Sequence, residues 1–493
     1  MADSIPHLRR EVQTAVDALL HAAEEPRSRR FFEFESELWT GLLALGCAVV
    51  RLFLECQVAR PRPVEYRAGG QRYRLTGERQ TLELGTRFGK VSFARPVGRR
   101  PEAPRAACDV PVDRELGLCS GFSLGVVQGL LRLYAQMAYG TARSTFRDIY
   151  EWVPSPRAAL RMVDAVGTRA RPFLEQAALP ADDGEILVLQ VDGRGAPMIG
   201  VSELARRCQP HLPREEGTTA RQRRRQRRQS RTKPRRTKGE PSKNAKVAIV
   251  GVIYTLRQTS NGTEGPIGKR LVATFQSHEA LFIWLHHEAV RRGYGQKRTI
   301  FMADGSHHIW RLQAMYFPDA EVCLDWYHLL EYLWSAGECR HPEGSAELRA
   351  WVGHQARLLK RGATQAVLTE LLRMRAAIPK TGPGTKGKRK RLDDTIRFYR
   401  NHRSRLNYRA MREDDLDIGT GAVEGAVRNL VGMRLDGPGM RWGRWRSELI
   451  LHLRCILLNG QWEEFVRYLA TRTNVRLAAH PEPARSHAAK KVA

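Results

Sequence analysis

No two of the eight cysteines stand at the close spacing that builds a site: Cys47, Cys56, Cys108, Cys119, Cys208, Cys323, Cys339 and Cys455 are scattered along the chain. That pattern excludes a zinc knuckle and a secreted disulfide framework, and it points to a reducing cytoplasm. No apolar run reads as approaching the roughly 18 to 20 residues that cross a bilayer. Met1 to Arg10 also lacks the charged-then-apolar order of a signal peptide. A soluble, unexported chain with no membrane partner is therefore expected. Acidic residues are in short supply as well, with 52 Asp plus Glu against 82 Lys plus Arg and a net charge of +30. Such an excess favours a polyanion, whose condensed counterions are released on binding. RNA or an anionic membrane would satisfy charge alone, so composition narrows the partner without naming it.

The 493 residues suffice for about three or four domains of roughly 100 to 200 residues each. Residues 1–60 carry helical spacing, with Leu38, Leu42, Leu45, Val49 and Leu52 at alternating steps of four and three. Residues 61–111 hold a small strand-rich module, seen in the alternation of Tyr73-Arg74-Leu75 and Lys90 to Arg95, and a connector rich in Pro, Ala and Arg. Residues 112–180 return to helix, with candidates Leu124–Tyr139, Ser144–Trp152 and Ser155–Val166 joined tightly. Arginines run along them, and Arg157 and Arg161 on the third helix fit a helix-turn-helix whose last helix enters a major groove. A plain helical bundle with solvated arginines is the alternative.

Residues 181–326 alternate strands and helices, the signature of a mixed sheet with covering helices. Strand candidates are Glu185–Val191, Ala245–Leu256, Lys269–Gln276, Thr299–Ala303 and Ala320–Asp325, with helices at Ser277–Arg292 and His307–Phe317. Three strands, a helix, a strand, a helix and a strand is the order of a ribonuclease H-like fold, in which the first and fourth strands lie side by side and parallel. Between the first two strands, residues 206–244 interrupt the pattern with 11 basic residues in the 18 from Arg221 to Lys238. With almost no apolar side chains this loop is expected to be disordered without a ligand. Arg223, Arg224, Arg225, Arg227 and Arg228 are its candidate phosphate contacts. Residues 327–412 read as a helical insertion broken at Lys380 to Arg391, 413–466 as a C-terminal helix block, and 467–493 as a basic tail expected to be disordered.

Two of the apolar runs end in an acid, Val191-Asp192-Gly193 and Ala303-Asp304-Gly305, and Glu424 follows far downstream in a Gly-rich, Arg-rich segment. A buried strand delivers such a carboxylate to the sheet's carboxyl edge, where hard cations with oxygen ligands can face a substrate phosphate. Parallel first and fourth strands bring Asp192 and Asp304 to neighbouring points. Asp-Gly is also a common turn, and Glu424 could be an ordinary acid at a helix start. Asp325 competes for the second role because it too ends an apolar strand. His307 and His308 are set aside, since adjacent histidines on a helix diverge. In Met440-Arg441-Trp442-Gly443-Arg444-Trp445, aromatics alternate with arginines, which suits base stacking and phosphate grip as well as core packing. Arg434 and Arg441 are the candidate DNA contacts there.

The segment Gly419-Thr420-Gly421-Ala422-Val423-Glu424-Gly425-Ala426-Val427-Arg428, continuing through Met433 to Trp442 and Leu458 to Trp462, resembles the C-terminal block of bacterial insertion-sequence transposases of the ISKra group, distantly similar to Mutator-like transposases. The strand ending Val191-Asp192-Gly193, the run Cys323 to Leu333 and the stretch Val112 to Leu118 agree with it. The resemblance implies a DDE transposase of α/β plus α class, with a ribonuclease H-like core, a helical insertion and a preceding DNA-binding region. Asp192, Asp304 and Glu424 match the three catalytic, metal-binding carboxylates, and Asp325 and His328 match an Asp-x-x-His pair. It implies two Mg²⁺ or Mn²⁺ ions, about 3.5 to 4 Å apart in such sites, and double-stranded DNA as partner, both element ends and target. By analogy it also implies a homo-oligomer and a bacterial, nucleoid-associated place in the cytoplasm. Many relatives carry paired cysteines where this chain has only Cys108, so no zinc module is expected. A ribonuclease H-like nuclease or resolvase without strand transfer, and a non-catalytic DNA-binding derivative, are the competing readings.

Overall fold

The computed structural model describes residues 4–26, 29–118, 121–200, 203, 245–437 and 440–471. They fall into two compact units, one of residues 1–176 with 452–493 and one of residues 177–451.

In the first unit, helices α1 (Ser4–Glu24) and α2 (Phe31–Ala59) pack together, and α2 lies on an antiparallel sheet of β1 (Glu65–Ala68), β2 (Gln71–Thr86) and β3 (Gly89–Arg99). Leu54 and Val58 of α2 meet Leu84, Val91, Phe93 and Val112 in one core, with Cys47 and Val50 at its margin. Of the residues at helical spacing, Leu42 and Val49 are 43% and 47% exposed. The helix is apolar nearly all round, so a periodic count finds more than one face. An expectation is corrected at the same place: α2 is long and apolar enough to cross a membrane by length and composition. The short α3 (Pro111–Leu116) follows the sheet, and then come α4 (Leu124–Gln136), α5 (Tyr139–Tyr150) and α6 (Pro156–Gln176), close to the expected places. Helix α6 runs ten residues past its expected end at Val166, because Ala170, Phe173 and Leu174 continue its buried stripe.

The second unit is built on a five-stranded mixed sheet of β4 (Ile186–Pro197), β5 (Ala245–Thr259), β6 (Gly262–Thr274), β7 (Arg298–Ala303) and β8 (Glu321–Leu324). Its order is β6-β5-β4-β7-β8, antiparallel on the β6-β5-β4 side and parallel across β4-β7-β8. This architecture is compatible with a ribonuclease H-like fold. Central β4 is buried from Ile186 to Val191, which is why its sequence is a continuous apolar run rather than an alternation. Helices α7 (His278–Arg291) and α8 (His307–Tyr316) cover one face. There Phe282, Phe301, Phe317 and Trp310 form a linked aromatic cluster.

After β8 come helices α9 (Trp326–Gly337), α10 (Ala346–Lys360), α11 (Thr364–Ala377), α12 (Thr385–Asn401) and α13 (Tyr408–Glu413). The expected break at Lys380 to Arg391 is shorter than the sequence suggests, since α12 starts at Thr385 and takes the basic residues into its first turns. The chain then returns to the other face of the sheet through α14 (Gly421–Val427), a wider π-type turn at Arg428–Gly432, and α15 (Met433–Leu435). Helices α16 (Arg444–Leu458) and α17 (Trp462–Thr471) follow.

Candidate carboxylate site at the sheet edge

Register places the two aspartates. Parallel strands β4 and β7 stay paired up to Val191 opposite Ala303, so Asp192 and Asp304 are the next residue on each. The strand expected to end at Val191 continues past Asp192 against β5 to Pro197 opposite Ala245, so the alternative reading of Asp192-Gly193 as a turn does not hold. Asp192 therefore stands within a strand at the point where its parallel neighbour stops. Asp304 opens the turn into α8, its Oδ1 accepting from Ser306 N at 2.9 Å while its carbonyl accepts from Trp310 Nε1 at 2.7 Å.

Glu424 arrives on α14, exposed, with Thr420 Oγ1 donating to its Oε1 at 3.2 Å. All three carboxylates share one electrostatic neighbourhood. Burial first, and the charges of Asp304 and Glu424 next, push the Asp192 carboxyl up, while the Gly193 N–H and His328 pull it down. The second oxygen of each of the three has no hydrogen-bond partner among the described residues. Hard carboxylate oxygens that repel one another are the donor chemistry a divalent cation relieves. As the side chains stand, no three His, Cys, Asp or Glu groups among the described residues converge closely enough to hold an ion.

Asp325 does different work from Asp304. It is 0% exposed and both its oxygens are used. Oδ2 accepts from His328 N at 2.8 Å, capping α9, and meets His328 Nδ1 at 2.9 Å; Oδ1 accepts from Thr420 N at 2.8 Å, just before α14. Asp325 thus ties the end of β8 to the helix that carries Glu424. Burial alone would raise its carboxyl, but the bonds from His328 and Thr420 hold it below the usual range.

The hydrogen bond to Asp325 in turn lifts His328 to about 9. His328 is then cationic at neutral pH beside the carboxylates. Because its folded pKa lies above the free value of about 6.5, the pair's contribution is complete below that pH and is lost as pH rises through about 9. In metal-free protein the melting difference between wild type and His328→Gln is expected to shrink steadily from about pH 6 to about pH 9.5, by on the order of 1 kcal/mol once solvent screening of a 38% exposed side chain is allowed for. A constant difference across that range would sink this account.

The proposed DNA contacts scatter. Arg157 and Arg161 are exposed on α6. Arg223, Arg224, Arg225, Arg227 and Arg228 lie outside the described residues. Arg441 is paired with Glu203 at 3.0 Å. Arg434 is a correction: it is 1% exposed, with its guanidinium over the Trp442 ring at 4.6 Å, so it is a core cation rather than a surface contact. Trp442 is itself buried, and its Nε1 donates to Leu435 O at 2.9 Å.

Sequence reading missed Gln190, whose amide sits 1% exposed among these groups. The signal was present, since a lone amide inside Ile186 to Val191 must find partners.

No family model matches the chain, and no curated protein matches it. Five chains among solved structures do match. One belongs to the Drosophila P element transposase strand transfer complex, which aligns over 71% of this chain and 81% of that chain at 9% identity with a TM-score of 0.24. A likeness at that level carries no argument about fold or activity.

Proposed function

We propose that the chain is a DDE-type transposase with a ribonuclease H-like core, cutting and joining the DNA of its own insertion sequence. The observation that carries the reading is the β4-β7 register, which sets Asp192 beside Asp304, together with the electrostatic reach of Glu424. Two Mg²⁺ or Mn²⁺ ions, which Asp192, Asp304 and Glu424 would hold, would supply activation of the attacking oxygen and stabilisation of the leaving one. Asp325 and His328 keep the Glu424 helix in place, and the His328 cation offers the same edge a positive charge for a phosphate. Cleavage at an element end and joining to target DNA are both in-line displacements at phosphorus, so one set of side chains serves both. Arg157 and Arg161, with the basic run around Arg223 to Arg228, provide the backbone grip that holds a duplex against +30 of net charge. Bringing two element ends together calls for more than one copy of the chain, in a bacterial cytoplasm beside the nucleoid.

The test incubates the full chain with Mn²⁺ and a duplex carrying the sequences that flank its coding region. Nicked ends with free 3′-hydroxyls and joined products are expected. Nicks without joined products favour a nuclease or resolvase, and DNA binding with neither product favours a non-catalytic derivative.

Salt dependence separates the arginines. Arg157→Ala and Arg161→Ala are each expected to flatten the plot of log affinity against log salt by about 0.9. Arg434→Met should leave that slope alone and lower stability instead. Equal slopes in all three variants would remove α6 from the interface.

A further inference from the structure

Gln190 stands two residues before Asp192, and so on the same face of β4. Its amide is 1% exposed and all its ends are engaged. The oxygen accepts from Val423 N at 3.0 Å, while the nitrogen donates to the Tyr254 hydroxyl at 3.2 Å and approaches Met302 Sδ at 3.6 Å. Val423 is the third residue of α14, its N–H shared between Gln190 and Thr420 O at 3.0 Å, and Glu424 is next in the chain.

The first turn of α14 is hydrogen-bonded from the sheet at three points: Asp325 holds Thr420 N from the β8 side, Gln190 holds Val423 N from the β4 side, and Lys269 Nζ of β6 reaches Ala422 O at 3.5 Å. Further along β4, Arg194 on the same face pairs with Asp436 at 2.9 Å, but that pair is half-exposed and weak on general grounds. Without Gln190 the turn keeps its bonds at Thr420 and Ala422 and loses the one to β4, the strand that carries Asp192.

We propose that Gln190 is a positioning residue that sets Glu424 opposite Asp192 for shared binding of a divalent cation. The proposal rests on the carboxylate reading above and adds to it the group that fixes the third ligand. An apolar residue of the same size would fill the strand as well, but the Val423 N–H would keep only its bond to Thr420 O and the turn would lose its hydrogen bond to β4. Asp325 also caps α9, so its loss disturbs more than one element. Gln190 reaches no helix but α14, which makes its effect separable.

The test compares full-length wild type, Gln190→Met, Gln190→Glu and Asp192→Asn by two measurements. Gln190→Met keeps the volume and removes the acceptor; Gln190→Glu keeps an oxygen for Val423 whether or not it is ionised. In metal-free protein, deuterium uptake in the peptide covering residues 419–430 is expected to be about 10-fold faster in Gln190→Met and near wild type in Gln190→Glu. In Mn²⁺ titrations followed by calorimetry, Gln190→Met should bind about 10- to 100-fold more weakly, the usual cost of losing a group that orients a ligand. Unchanged uptake or unchanged Mn²⁺ affinity in Gln190→Met overturns the proposal. A wild type that binds Mn²⁺ no better than Asp192→Asn overturns the metal reading itself, and this proposal with it, even where uptake has quickened. Should Gln190→Met fail to fold, Tyr254→Phe frees the nitrogen end of the amide and should give the same changes at a few-fold size, their absence counting against the proposal.

Discussion

Asp192→Asn, Asp304→Asn and Glu424→Gln, introduced singly, are each expected to reduce Mg²⁺-dependent DNA cleavage and joining by about 10³-fold or more, since the charge stabilisation at stake is several kcal/mol. Stability should move the other way. Asp192 is pushed above its free value by burial and by Asp304 and Glu424. A raised acid favours its protonated form in the folded state, so the metal-free protein loses stability as pH rises from about 4, and Asp192→Asn escapes that loss. Metal-free Asp192→Asn should therefore melt at or slightly above the wild-type temperature. Added Mg²⁺ should raise the melting temperature of the wild type and not of the variant. Activity that survives any one of the three substitutions removes that residue from the site.

Asp325→Ala is expected to cost about 3 to 5 kcal/mol in stability, the largest single loss proposed for this chain. The carboxylate is fully buried and meets two backbone N–H groups and the His328 ring. Truncation leaves the start of α9 uncapped and the residue before α14 unheld. Asp325→Asn keeps one acceptor oxygen and should fall between wild type and alanine. Chemical denaturation with and without Mg²⁺ measures both. A loss of catalysis with unchanged stability would instead make Asp325 a metal ligand in competition with Asp304.

The order of sheet elements was legible in the sequence because β4, β5 and β7 carry apolar runs rich in Ile, Val and Phe, whereas β6 starts at Gly262, seven residues before its expected start, through a Gly-rich stretch with no such run. Strand β7, expected at Thr299–Ala303, spans Arg298–Ala303, and α7 begins after Ser277, whose side chain caps it as a Ser-x-x start should. Legibility failed where two solutions share one pattern. Helix α2 is apolar on several sides, so its spacing names no single buried face, and its length as a bilayer-sized run went unseen. The continuation of β4 beyond Asp192 was hidden because Gly193 and Gly195 look like turn residues, while their pairing with Ile249 and Val247 is fixed only by the neighbouring strand. Arg434 was placed at the surface because it shares an Arg- and Gly-rich stretch with Arg441, while the ring it stacks on, Trp442, lies eight residues further along. Gln190 could be seen as an oddity, but its partner lies 233 residues away and no local pattern names it.

The β4-β5 hairpin has one more consequence. Its strands remain paired out to Pro197 and Ala245, so the long cationic connection between them leaves and re-enters the sheet about 17 Å beyond Asp192, at roughly 3.3 Å per residue. Asp192 therefore sits on the flank of a paired ribbon rather than at its tip, with the backbone in register for five residues beyond it.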